Sequence, residues 1–135
     1  MSSSVRFATT VIYVDDLVAA IEFYRQAAGL EPQFYDEAAG FAELGAEKRL
    51  ALAAHRAGDL MMPGAYNQHG QRVSAVELAF YADDVPAAYH RAVAAGASPL
   101  TPPREMPWGQ TVAYAQSPEG TILGFVTQMP EADGA

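Results

Sequence analysis

The amino-acid sequence predicts an α+β fold built from two copies of one strand-helix-strand-strand-strand (βαβββ) unit. Three observations carry that expectation. Val11-Ile12-Tyr13-Val14-Asp15-Asp16-Leu17-Val18-Ala19-Ala20 lines up with Leu78-Ala79-Phe80-Tyr81-Ala82-Asp83-Asp84-Val85-Pro86-Ala87-Ala88, and the Asp-Asp pairs superpose at an offset of 68 residues (Asp84 minus Asp16). One register slip then brings Ala27-Ala28-Gly29 onto Ala94-Ala95-Gly96 and Pro32 onto Pro99. In both copies the hydrophobic period changes from two to about 3.6 at the Asp-Asp pair, as a strand leading into a helix requires.

Each copy opens on a strand. Thr10, Ile12 and Val14 form one face of the first, and Leu78, Phe80 and Ala82 one face of the second. Asp16 and Asp84 stand at the N-cap position, where a carboxylate accepts backbone N–H groups that have no partner within the helix. Pro86 falls in a first turn, where its missing N–H does no harm. Leu17, Ala20, Ile21, Tyr24 and Ala28, then Val85, Ala88, Tyr89, Ala92 and Val93, are spaced as helical core faces. Gly29 and Gly96 end the helices. Short strands follow near 33–36, 40–44 and 49–55 in the first copy and near 98–101, 110–116 and 121–128 in the second. The turns fall at Gly45-Ala46-Glu47-Lys48 and Ser117-Pro118-Glu119-Gly120.

These boundaries predict a single domain over residues 1–130, with module one at 5–56, a Gly- and polar-rich linker at 57–73 and module two at 74–129. The tail, 131–135, is expected to be disordered. A unit of about 60 residues leaves one sheet face bare, so the two modules must cover each other or a second copy.

Composition narrows the function. At 135 residues, half of them hydrophobic, the chain has the material for one core. No apolar run approaches the ~18 residues of a membrane helix, and Met1–Arg6 lacks the pattern of a signal peptide. There is no cysteine, hence no disulfide or thiolate chemistry, in keeping with a cytoplasmic setting. With a net charge of −8 and eight scattered Lys and Arg, the chain has no basic patch for nucleic acid or anionic membrane.

The motifs resemble those of the vicinal oxygen chelate (glyoxalase/bleomycin-resistance/dioxygenase) family. The family's modules open with a Val-x-Asp-Leu-like turn into a helix carrying Phe-Tyr and ending in Leu-Gly-Leu; here stand Val14-Asp15-Asp16-Leu17, Phe23-Tyr24 and Ala28-Gly29-Leu30. The second module closes with Trp-Gly and Asp-Pro-Asp-Gly-Asn; here stand Pro107-Trp108-Gly109 and Ser117-Pro118-Glu119-Gly120-Thr121. The resemblance spans about 6–128. It implies paired ferredoxin-like units forming an open, trough-shaped mixed sheet, helices outside, with ligands bound in the trough.

In the family's metalloenzymes, His, Glu or Gln on the first and last strands of each module hold a divalent metal. Carried over position by position, those places are Thr9, Glu77 (again at an offset of 68), Ala51 or Ala53, and Gly124. One carboxylate out of four does not make a catalytic site, which takes about three protein ligands. The resemblance therefore implies a branch with no metal and no cofactor, and disfavours metal-dependent glyoxalase or dioxygenase activity.

Strand parity puts Val11, Tyr13, Glu77 and Tyr81 on the trough face, and Thr9, Tyr114, Gly124 and Trp108 complete the expected ligand-binding set. Glu77 either binds a cationic group, acts as an acid/base, or pairs with Arg6, Arg49 or Arg72. Trp108 either flanks the ligand or anchors the loop at 102–107. His55 (at a strand end), His69 and His90 read as surface or edge histidines, since no ligand spacing is present. Ser117 lacks a nucleophile's partners. Leu60-Met61-Met62-Pro63-Gly64-Ala65-Tyr66 is expected at a dimer interface in preference to lidding the trough. The expected function is metal-free binding of a small molecule by a homodimer, of the bleomycin-resistance type. Two alternatives stand beside it: a lyase- or isomerase-like enzyme using Glu77, and a structural relative with no ligand.

Overall fold

Ten consecutive residues rich in β-branched side chains, Val5–Val14, form strand β1. A computed structural model of the chain describes residues 4–68, 70–118 and 120–129. After β1 come helix α1 (Leu17–Ala28), strands β2 (Pro32–Asp36), β3 (Phe41–Leu44) and β4 (Leu50–Ala54), and a short helix α2 (His55–Met61). A two-residue-per-strand hairpin, β5 (Asn67–Gln68) and β6 (Gln71–Arg72), leads into β7 (Val76–Ala82), α3 (Val85–Ala94), β8 (Ser98–Glu105), β9 (Thr111–Gln116) and β10 (Ile122–Val126).

Both aspartates cap as their position in the repeat requires. The Asp16 carboxylate accepts from Ala19 N and that of Asp84 from Ala87 N, each at 3.0 Å. Gly29 closes α1 in the left-handed region at φ 69°, where a residue with a Cβ is strained.

The eight long strands make one mixed sheet in the order β2-β3-β4-β1-β7-β10-β9-β8. The modules meet inside a single chain, through antiparallel pairing of their first strands β1 and β7. Each first strand also runs parallel to the last strand of its own module, β1 to β4 and β7 to β10. Helix α1 covers Leu44 and Leu52 on one half of the convex side, and α3 covers Ala113, Ala115 and Phe125 on the other.

The concave side departs from expectation at the linker. The first part of the expected linker, 57–66, is not an open polar loop: α2 and the turn after it fold over the concave face of the same chain, while the hairpin β5–β6 beyond it is exposed and polar. Met62, Ala65 and Tyr66 are buried in one cluster with Val11, Tyr13, Ala51, Ala53, Tyr114 and Ile122. Met62, Ala65 and Tyr66 thus lid the trough, the placement the sequence disfavoured, because burying them against the sheet removes apolar surface from water; Leu60 stays exposed. The Arg104 guanidinium on β8 donates to the carbonyls of Leu60 (2.8 Å) and Met61 (3.0 Å), fixing the end of α2. His69, Glu119 and the tail lie outside the described residues.

Candidate functional site

Strand register assembles the candidate residues. Across the sheet run two adjacent rows on the concave face, Ala51–Val11–Glu77–Ile122 and Thr9–Ala79–Gly124–Tyr114. Tyr13 continues the face beyond Val11, and Tyr81 continues it at the opposite end, beyond Ala79. Seven of the eight expected residues thus share one surface. Trp108 does not join them: it lies exposed in the loop between β8 and β9, its indole N–H donating to Gln110 Oε1 at 2.8 Å.

At the centre is Glu77, 4% exposed. The Tyr13 hydroxyl donates to its Oε1 at 2.5 Å. Among the described residues no cation sits at ion-pair distance from it: Arg6 pairs with Asp83, Arg49 with Glu47 and Arg72 with Asp15. The ion pair considered from the sequence is therefore replaced by a neutral donor, because β1 and β7 bring Tyr13 over the carboxyl while the arginines remain at the rim. Burial raises the Glu77 carboxyl to about 7, against a smaller opposing effect of the Tyr13 hydrogen bond. Burial also raises Tyr13 and Tyr114, and the nearby Glu77 charge adds to both shifts. The three groups form a dry, proton-holding floor.

Gly124 has a steric reason to be glycine. A Cβ there would lie 2.5 Å from Glu77 Oε2 and 3.0 Å from the Tyr114 ring. The carboxyl occupies the space that a ligating side chain at 124 would need. Thr9 offers a hydroxyl, Ala51 and Ala53 nothing, and among the described residues no group of three or more His, Cys, Asp or Glu is placed to hold a metal. This donor set does not fit the divalent ion of the family's metalloenzymes.

The roof leaves both ends of the face open. One cleft, of about 760 Å³, is lined by Tyr13, Asp15, His55, Asn67 and Arg72 among others. The other, of about 320 Å³, includes Arg6, Thr9, Glu43 and Tyr81, with the Arg6 guanidinium over the Tyr81 ring at 5.5 Å. Tyr13 therefore joins the larger cleft to the buried Glu77.

At the rim of that cleft stands a constellation that sequence reasoning missed. His55 is the first residue of α2, not the last of a strand. Its Nε2 lies 2.8 Å from Asp15 Oδ1 and its Nδ1 2.6 Å from the Tyr66 hydroxyl. His55 is half-buried at the edge of the sheet, within the surface-or-edge expectation; its two partners escaped notice because they are 40 and 11 residues away in sequence. Asp15 also faces Arg72 at 3.7 Å, so one carboxylate gathers the beginning and the end of the roofing segment. His90, on α3, is exposed as expected.

Known proteins give these features a setting. The model of the Glyoxalase/Bleomycin resistance protein/Dioxygenase superfamily matches residues 6–125. Among solved structures, a superfamily member from Vibrio splendidus 12B01 superposes with a TM-score of 0.60 at 15% identity, over 94% of this chain and 100% of that one. Methylmalonyl-CoA epimerase from Mycobacterium tuberculosis gives 0.57 at 20% identity, over 93% and 89%. A Mn(II)-bound glyoxalase from Novosphingobium aromaticivorans gives 0.59 at 22% identity, over 98% of this chain and 43% of that one. No functionally curated protein matches. Among the described residues no helix is long and apolar enough to cross a membrane. The family match over nearly the whole chain, on a sheet of paired βαβββ modules, shows that this protein belongs to the glyoxalase/bleomycin resistance protein/dioxygenase superfamily.

Proposed function

We propose that this chain binds a small organic molecule on the concave face, over Tyr13, Glu77 and Tyr114, without the metal its family's enzymes use. The observation that carries the reading is the Glu77 carboxyl. It is buried without a cation, held by one tyrosine, and leans into the space above Gly124. A carboxyl so placed weakens the fold, and such cost is a recurrent mark of a functional site. The large cleft ending at Tyr13 supplies the entrance.

A thermal-shift screen at neutral pH tests this, since a ligand that binds only the native state raises its melting temperature. Aromatic, cationic and antibiotic-like compounds are the probes, with and without chelator. At ~100-fold excess over Kd the stabilisation is about 2.7 kcal/mol. Shifts by organic compounds that survive chelator support the reading; shifts by divalent metals alone would end it.

The same carboxyl supports a second reading, in which the protein is a metal-independent enzyme. An acid with a pKa of about 7 is matched to proton transfer near neutrality, and Tyr13 keeps it oriented. Should a compound from the screen be turned over, Glu77→Gln abolishes turnover while retaining affinity. Undiminished turnover in that variant rules the second reading out.

A further inference from the structure

The segment that roofs the concave face carries its own clue to what the face accepts. Tyr66 is 1% exposed. Its ring lies tilted on that of Tyr13, centroids 4.8 Å apart, and its hydroxyl meets His55 Nδ1 at 2.6 Å. On another side the backbone of Gly58 lies against it so closely that a Cβ there would be 2.8 Å from the ring. The chain has thus built a slot for one phenol, with an aromatic floor, a bare backbone wall and a hydrogen-bond partner at the end.

The phenol that fills the slot is weakly held by local structure. Helix α2 has seven residues and no side-chain cap at its N-terminus, and isolated helices of that length are unstable in water. Glycines at 58, 64 and 70 loosen the segment. Beyond the apolar packing of Ala57, Met62 and Ala65, its polar ties to the frame are few: Arg104 to two carbonyls, and Asp15, itself largely exposed, to His55 and Arg72. The cleft of about 760 Å³ touches Tyr13, His55, Asn67 and Arg72, so a molecule within it already reaches the edge of the slot.

We infer that Tyr66 stands in the place of the ligand, and that the concave face takes a phenol or similarly hydroxylated aromatic ring that displaces Tyr66, stacks on Tyr13 and hydrogen-bonds His55. This rests on the proposal that the concave face is the ligand site, and it names the class of ligand.

Calorimetric titration of the full chain with 4-methylphenol and with toluene, which lacks the hydroxyl, tests the inference. Wild type is expected to bind 4-methylphenol, and Tyr66→Ala to bind it at least roughly tenfold more tightly, because no internal ring competes. In Tyr66→Ala, 4-methylphenol should bind roughly fivefold or more tightly than toluene, the worth of one hydrogen bond, and adding His55→Ala should erase that preference. Tyr66→Phe keeps the ring and serves if the alanine variant does not fold. It should gain roughly fivefold for 4-methylphenol over wild type, having lost the competing hydroxyl, and an unchanged affinity there counts against the inference. Equal affinity of Tyr66→Ala for both probes overturns the phenol assignment while leaving the concave-face reading in place. Binding by Tyr66→Ala in a protein whose wild type binds neither these probes nor anything in the screen marks the roof as permanent core and overturns both.

Discussion

Glu77→Gln raises the melting temperature above neutral pH and leaves it nearly unchanged in acid. Burial raises the Glu77 carboxyl from an ordinary 4.5 to about 7, so the folded chain holds this proton more tightly than the unfolded chain. The stability it contributes is fully present below pH 4.5, declines as pH rises towards 7, and stays lost above that. A gap of this size in a fully buried group corresponds to about 3 kcal/mol. Gln is neutral at every pH and its amide oxygen accepts from Tyr13 as the carboxyl does. Heat denaturation should therefore show the variant gaining roughly 10 °C over wild type at about pH 8, the difference closing as pH falls to about 4.5. A constant difference across that range would mean that the carboxyl is not held in a dry setting.

Gly124→Ala is the second large effect, and here it is destabilising. The new methyl would lie 2.5 Å from Glu77 Oε2 and 3.0 Å from Tyr114, distances that the packed floor cannot accept without movement. Overpacking of this kind costs about 1–3 kcal/mol. The cost should fall sharply in a Glu77→Ala background, where the nearer clash is gone, so the two substitutions are strongly non-additive. Urea denaturation of the four proteins measures the coupling. Additive costs would show that the carboxyl does not lean over Gly124.

These effects concern residues whose placement was legible in the sequence. The repeat set Thr9 against Glu77, and the two-residue period then put Val11, Tyr13, Tyr81 and Glu77 on a common face, because strand geometry leaves little freedom once a register is fixed. The caps at Asp16 and Asp84 were legible for the same reason: the interaction spans three residues. What escaped was long-range. Helix α2 has neither a cap nor a helical propensity to announce it, with Gly58 in its middle; tertiary packing of Tyr66 and the reach of Arg104 from β8 hold it in place. One signal was present. Both Asp-Asp pairs use the second aspartate as a cap and leave the first for a distant partner, and each first aspartate faces an arginine from afar, Asp15 with Arg72 and Asp83 with Arg6. Trp108 shows the opposite error, since a motif shared with relatives did not bring the side chain to the face.

The proposed concave-face site takes an organic molecule, and the donors around it do not fit the family's metal. Equilibrium dialysis of the purified protein against Mn(II), Ni(II) and Zn(II), followed by elemental analysis of wild type and Glu77→Gln, puts this to the test. Metal well below one ion per chain, equal in the two proteins, is the expected result. One tightly held ion per chain in wild type, lost in Glu77→Gln, would contradict it.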